Sequence, residues 1–550
     1  MTWLLMRSRL GAGAFAQPLA RLMLALVLVL TNVIDGGVAP AAAQAQANST
    51  GFRQAVAEAA AHDDALAAFY KSRDYKGLWT TSADAGRRSA FMTALKGAAA
   101  HGLPIPRYDP VALAVAFKAV RSDRDRGLLD VEMSRAFLQY AQDIQTGVLI
   151  PSQIDPTIVR EIPRRDRLAT LAAFAQSSPG GFFKSLPPKS PEYARMMKEK
   201  LTLEKLLGSG GWGPKVAASA LQPGQAGDQV VQLRNRLIKM GYIKKSSSQT
   251  YDDVLQKAVQ LFQFDNGIPA DGVAGEGTLA EINREPVERL SSVMVAMERL
   301  RWMNKDLGQR YIWVNLADFK AQIIDGGKVT FETRAVVGKS GSDTRSPEFS
   351  DLMEFMVVNP SWSVPRSITT KEYLPLLKKN PNAAGQLSII DANGRTVPRS
   401  AVNFGAYTAA NFPYAMRQPP SDGNALGLVK FMFPNRWNIY LHDTPQKALF
   451  AKEIRAFSHG CIRLNDPFDF AYTLLARQTP DPQGVFKAAL DTGSETVISL
   501  VEPVPVHLVY FTAFATAKGR MSYRRDVYGR DAAIFDALVG AGVELRAVQG

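Results

Sequence analysis

The pattern of apolar positions divides the chain into three stretches. From Phe52 to about Lys200 they recur at helical spacing, as in "DDALAAFYKSRDY" and "VEMSRAFLQYAQDIQTG", with breaks at "HGLPIPRYDP" and "SSPGG". This predicts a mostly helical domain over 51–200. From Leu221 to Asn283 the pattern is again helical but tighter. "QVVQLRNRLIKMGYI" reads as an amphipathic helix with Val231, Leu233, Leu237 and Met240 on its apolar face, ended by Gly241. "YDDVLQKAVQLFQFDNG" reads as a second helix with Val254, Ala258, Leu261 and Phe262 on one side, and "DGVAGEGTL" as a turn into a short third helix. A three-helix unit is therefore expected over 221–285.

From Tyr311 the period becomes that of strands. "YIWVNLADFKAQIIDGGKVTFETRAVVG" gives three, the second and third joined at Asp325-Gly326-Gly327. "FMVVNPSWSVP" and "NIYLHDT" extend the sheet. Between them, from about Ile368 to Phe412, lies a stretch rich in Pro, Asn and Gly with one short helix at "TKEYLPLLKKN", which reads as an insertion. The pattern predicts a β-rich domain over 310–500, a C-terminal extension over 501–550, and a multidomain α+β protein.

The first residues do not belong to that body. Arg7, Arg9 and Arg21 precede the apolar run Leu22–Leu30, which passes into "APAAAQAQA" with a small-residue site at Ala43-Gln44-Ala45. This is the layout of a secretory signal peptide, 1–45. The run is shorter than the roughly 20 residues a membrane span needs; the alternative is an uncleaved N-terminal anchor, the one way the chain would touch a membrane. Export, to the periplasm, changes the meaning of composition. The net charge of +14 favours anionic partners such as cell-wall polymers. Nucleic acid is excluded as a partner, because no basic run interleaved with aromatics stands out.

Among 550 residues there is one cysteine, Cys461, so no internal disulfide exists and the fold relies on its own cores. The thiol sits in "RAFSHGCIRLNDP", directly behind Ser458, His459 and Gly460. A thiol becomes a nucleophile when a base or a positive environment supplies thiolate and backbone donors hold the oxyanion of the attacked carbonyl. Two imidazoles could serve. His459, two positions upstream, would share a face with Cys461 in extended chain. His442 ends the strand-like "RWNIYLH", and a returning connection would bring it to Cys461. Gly460 permits close approach of backbone to a substrate. His62 and His101 stand beside ordinary helix and turn residues and His507 is too far along the chain for sequence to place, so all three read as surface or packing residues. No cluster has metal-ligand spacing and no Gly-rich phosphate loop is present, so neither metal nor cofactor is expected.

These residues carry a resemblance. "YLHDTPQKALFAKEIRAFSHGCIRL" is similar to the signature of the L,D-transpeptidases, the YkuD-type enzymes, in which a histidine precedes a Ser/Thr-His-Gly-Cys element. "VVNPSWSVPRSI", "MRQPPSDGNALGLVKFMFPN" and "HLVYFTAFATAKGRMSYRRDVYGRD" resemble the large periplasmic subfamily, which joins a helical scaffold domain, a peptidoglycan-binding domain and a catalytic domain with a capping insertion. The unit at 221–285 resembles that peptidoglycan-binding domain through its Gly-Tyr, "AV..FQ" and "DG..G..T" order; a generic three-helix packing unit is the alternative.

The resemblance implies that Cys461 is the acylated nucleophile and His442 the general base, oriented by the backbone carbonyl of Asp443. Ser458, His459 and Gly460 would shape the oxyanion pocket. Many members have Asn two residues after the cysteine, where this chain has Arg463. A guanidinium there is suited to gripping a stem-peptide carboxylate bidentately, with Asp443 also near the substrate; a structural ion pair is the competing role for Arg463. The implied reaction joins a tetrapeptide stem of peptidoglycan to Cys461 with loss of D-Ala, then passes the acyl group to an amine of a second stem or of an envelope protein. Carbapenems would trap the same thiol. Hydrolysis of the acyl-enzyme as an L,D-carboxypeptidase, or a purely structural wall-binding role, are the alternatives.

Overall fold

The computed structural model describes residues 41–547 other than 342, 517 and 518. The expected leader, 1–45, lies outside the described residues but for its last five positions. No helix among the described residues is long and apolar enough to cross a membrane.

The first region folds as helices, among them Asp64–Ser72, Ala85–Lys96, Asp123–Thr146, Arg167–Gln176 and Pro191–Gly208. Asp123–Thr146 starts at a Ser122 capping box and buries Met133, Phe137, Ala141 and Ile144 along one face. Its Phe137 meets Trp79, Phe91, Phe174 and Phe183 in an aromatic core.

The second region is the expected three helices, Asp228–Lys239, Asp253–Asp265 and Glu276–Ile282. Their buried faces are rotated from those read off the sequence. In the first, Val230, Leu233 and Leu237 are buried while Val231 and Met240 are half-buried. In the second, the core takes Leu255, Ala258, Val259 and Phe262, and Val254 and Leu261 stand 60% and 38% exposed. That helix carries two apolar stripes, so period alone does not say which one faces in.

Between the second and third regions lies a helix that the sequence reading does not assign, Pro286–Trp302. It is buried on nearly every side, its charged Arg289, Glu298, Arg299 and Arg301 included, with Val287 and Glu288 exposed. It packs with Pro191–Gly208 and with the C-terminal helix Arg530–Gly540 around a core of its own.

The strands are β1 (Arg310–Asn315), β2 (Lys320–Asp325), β3 (Lys328–Gly338), β4 (Phe349–Val358), β5 (Trp362–Ser363), β6 (Ser388–Ile390), β7 (Thr396–Val397), β8 (Ala415–Gln418), β9 (Val429–Met432), β10 (Leu441–His442), β11 (Ala456–Ser458), β12 (Ile462–Leu464), β13 (Thr496–Val509), β14 (Ala513–Ala515) and β15 (Met521–Tyr523). Nine of them form one sheet in the order β11-β3-β12-β10-β9-β4-β13-β1-β2, and β2 also pairs with β3. That last pairing closes the sheet on itself, which leaves few free edges. Strand β3 manages this by changing partners along its length: β2 first, then β12 at Ala335 and Val336, then β11 at its end. The β2–β3 turn is where the Gly pair predicts it, with Gly326 and Gly327 at φ +56° and +75°.

Two expected boundaries move. The division at 500/501 falls inside β13, which pairs with β4 and β1 in mid-sheet, so the start of the supposed extension is integral to the sheet. The insertion is wider than 368–412. Its stems pair as β5 and β8, it has a four-stranded sheet β5-β8-β6-β7, and it buries its own core of Ile368, Leu374, Leu377, Ile389, Phe404, Phe412 and Met416.

Candidate active site

Strand β10 pairs in parallel with β12, Leu441 opposite Ile462 and His442 opposite Arg463, and antiparallel with β9. Leu441, Ile462 and Leu464 are fully buried in the sheet's core. Side chains alternate along a strand and parallel partners point the same way. Tyr440 and His442 therefore share the opposite face with Cys461 and Arg463. The Ile462 N–H to Tyr440 carbonyl bond, 3.1 Å, extends the pairing back to the cysteine, and the Tyr440 and His442 rings lie edge to face at 5.7 Å.

The His442 Nδ1 lies 2.5 Å from the Asp443 carbonyl oxygen. A carbonyl only accepts, so Nδ1 carries the proton and the lone pair of the neutral ring is on Nε2. Burial, with the Arg463 guanidinium beside it, lowers the imidazole to about 3. Cys461 is half-buried, and its Sγ contacts the Asn438 carbonyl at 3.5 Å. Burial pushes its thiol up to about 11, against the Tyr440 backbone N–H and phenol and the Arg463 guanidinium, which draw it down. At neutral pH the site thus holds a neutral thiol and a neutral imidazole.

Asp443 is not free for a substrate. Its carboxylate accepts from the Leu428 N–H at 2.9 Å and pairs with Lys447 at 2.7 Å. Gly427, at φ +61°, lets the chain pass so close that a Cβ there would lie 2.3 Å from the Asp443 carboxylate. The Asp443 carboxylate, expected at the substrate, is thus engaged within the chain, while its backbone carbonyl accepts from His442 Nδ1.

Ser458 ties the turn before the cysteine: its Oγ accepts from the Gly460 N–H at 3.1 Å and donates to the Cys461 carbonyl at 2.5 Å. Gly460 has φ +120°, a conformation L side chains rarely adopt. His459 does not turn to the thiol. Its Nε2 meets Glu372 at 2.5 Å, on a single π-helical turn of the insertion, Thr369–Tyr373. Next to it Lys371 pairs with Asp343 at 2.7 Å, so the insertion contacts two loops at the site. Arg463 donates to Gln446 at 2.6 Å and its Nε is buried without a partner. No carboxylate lies within ion-pair distance of it among the described residues.

Of the other histidines, His62 is exposed, His101 meets the Tyr193 hydroxyl at 3.1 Å and His507 the Ser350 hydroxyl at 2.8 Å; no histidine, His442 included, is hydrogen-bonded to Cys461 among the described residues. Tyr440, Asn438, Ser346 and Glu372 are residues the sequence reading did not name. Only Tyr440 has a local signal, its place two residues before His442 in a strand.

A thiol, an oriented imidazole and a guanidinium thus lie on one sheet face. Residues 309–498 match the L,D-transpeptidase catalytic domain, residues 64–199 the scaffold domain and residues 226–282 the family described as "Putative peptidoglycan binding domain". The chain thus carries an L,D-transpeptidase catalytic domain together with a scaffold domain and a peptidoglycan-binding domain. A relative from Haemophilus influenzae, "Putative L,D-transpeptidase", is 34% identical over 224 residues, 40% of this chain. The match spans 44% of that relative, under half its length. Among solved structures, an L,D-transpeptidase of Xylanimonas cellulosilytica aligns at 14% identity over 54% of this chain and 100% of its own, with a TM-score of 0.16. One of Stackebrandtia nassauensis aligns at 15% identity over 54% and 96%, with a TM-score of 0.21.

Proposed function

We propose that the chain is an exported peptidoglycan L,D-transpeptidase acting in the periplasm through a Cys461 thioester. The observation that carries this reading is the common face of Tyr440, His442, Cys461 and Arg463, with the His442 lone pair on Nε2. In the first step Cys461 Sγ attacks the carbonyl between the third and fourth residues of a tetrapeptide stem, and its proton passes to His442 Nε2. The tetrahedral intermediate collapses, the C–N bond breaks, and His442 returns the proton to the departing D-Ala amine. In the second step an acceptor amine attacks the thioester and loses a proton to His442. The C–S bond breaks and the sulfur takes that proton back.

Arg463, with no acidic partner among the described residues, grips the terminal carboxylate of the donor stem. The insertion, docked on the catalytic turn through Glu372 and His459, excludes water from the thioester and so favours an amine acceptor, a diaminopimelate side chain of a second stem or an envelope protein. The peptidoglycan-binding domain holds the enzyme to the glycan.

Incubation of the protein with a tetrapeptide stem, followed by intact-mass measurement, tests the reading. The expected result is one acyl adduct, the mass of the stem less D-Ala, absent from Cys461→Ser and strongly reduced in His442→Ala. An adduct that persists in Cys461→Ser, a variant that keeps the shape but is far less ionised, contradicts it.

A further inference from the structure

The Gly460–Cys461 peptide unit is gripped from the side away from the substrate. Its carbonyl accepts from the Ser346 hydroxyl at 2.6 Å, and the same Ser346 Oγ accepts from the Gly338 N–H at 3.0 Å. Ser346 is fully buried. All described peptide bonds are trans, and in a trans peptide the C=O and N–H point in opposite directions. Anchoring the Gly460 carbonyl to the buried Ser346 therefore aims the Cys461 N–H outward, on the side of the half-exposed thiol. The neighbouring Gly460 N–H is spent on Ser458, whereas the Cys461 N–H has no acceptor among the described residues.

Ser346 is itself mounted on parts of the chain far from the signature. The Tyr528 hydroxyl donates to the Gly338 carbonyl at 2.7 Å and accepts from the Ser346 N–H at 3.4 Å. Arg530 donates to the Ser346 carbonyl at 2.9 Å and to Thr157 Oγ1 at 2.6 Å, and Thr157 and Val159 bond the backbone of Glu348, at 2.8 Å each. Thus the C-terminal segment and the connection inside the first region that precedes helix Arg167–Gln176 converge on one serine, three residues before the start of β4.

We propose that Ser346, held by Tyr528 and Arg530, is a positioning residue that fixes the Gly460–Cys461 peptide plane so that the Cys461 N–H serves as an oxyanion donor. The inference rests on acyl transfer at Cys461 as set out above. It assigns a second purpose to the C-terminal segment, which supplies no group that touches the thiol.

An oxyanion forms when the thiol attacks a carbonyl but not when it displaces iodide, so two reactions of the same sulfur separate the roles. Acylation is measured with a tetrapeptide stem and with a β-lactam, and alkylation with iodoacetamide. Losing an oxyanion donor outright costs about 10²–10³ in rate, and misaiming one should cost roughly 10–100-fold. In Ser346→Ala, acylation by both donors should fall by that factor while alkylation stays within about twofold of wild type, with its pH profile unchanged. Ser346→Thr, which keeps the hydroxyl, should recover most of the loss. Tyr528→Phe, a milder change for use where Ser346→Ala fails to fold, should show the same split at a smaller size. Equal falls in acylation and alkylation, or no fall in acylation, overturn the proposal. A wild type that takes the β-lactam but not the stem contradicts the peptidoglycan substrate while leaving Ser346 testable. Acylation by neither overturns both.

Discussion

Alkylation of Cys461 across pH 6 to 9 reads the charge state of the site directly, because only the thiolate reacts. Burial holds this thiol at about 11, whereas a free cysteine lies near about 8.5. At pH 7 the gap is four units, so roughly one molecule in 10⁴ carries thiolate, against roughly 3% of a free cysteine. His442, held at about 3, stays neutral over the whole range and offers no imidazolium to stabilise the anion. The rate with iodoacetamide should therefore climb about tenfold per pH unit, about a thousandfold from pH 6 to 9, with no plateau. Arg463→Gln removes a charge that draws the thiol down and should slow the reaction at every pH. Stopped aliquots followed by intact mass give the rate, and His442→Ala tests whether the profile depends on the imidazole. A plateau between pH 6 and 8 would refute the reasoning, since it would mean a thiolate–imidazolium pair already formed in the resting protein.

His442, His507 and His101 are held at about 3, 3 and 4 by burial, below the ordinary value near 6.5. The unfolded chain then binds more protons than the folded one from pH 6.5 down to about 4. Stability should fall with falling pH across that window, each histidine adding a slope of up to about 1.4 kcal/mol per pH unit; melting curves check this, and His507→Gln should flatten the slope. If Arg463 grips the donor carboxylate, amidating the terminal D-Ala should cost the wild type roughly 10–100-fold in kcat/KM and Arg463→Gln almost nothing; equal losses in both would assign the guanidinium elsewhere. Replacing the insertion by a tight turn should raise the ratio of tripeptide to crosslinked product while Cys461 is still acylated, and an unchanged ratio in a folded variant would remove its water-excluding role. A carbapenem should add one mass to the wild type and none to Cys461→Ala.

What the sequence makes legible here is local. The alternation in β1 to β3 and the Gly326-Gly327 turn are set by neighbours two to four residues apart, so pattern alone places them. The pairing of His442 with the cysteine strand is longer in range but is marked by a motif. The depth at which helix Pro286–Trp302 lies is hidden because its charged Arg289, Glu298, Arg299 and Arg301 are buried with partners from elsewhere in the chain, and the face of Asp253–Asp265 is ambiguous because two apolar stripes compete. The stems of the insertion and the run of β13 across residue 500 depend on which distant strand lies alongside, which composition does not carry. Most of the unseen site is of this last kind. Ser346 reaches Gly460 across 114 positions and Glu372 reaches His459 across 87. Asp443 was readable as a neighbour of the base, but the commitment of its carboxylate to Leu428 and Lys447 shows only in three dimensions.

The most direct test of acyl transfer to an amine is to incubate the protein with purified tetrapeptide muropeptides and to resolve the products by mass. A transpeptidase yields dimers whose mass equals two tetrapeptide muropeptides less one D-Ala, formed by wild type and not by Cys461→Ser. Tripeptide monomers alone would mean that water is the acceptor, and unchanged tetrapeptide would contradict catalysis by Cys461.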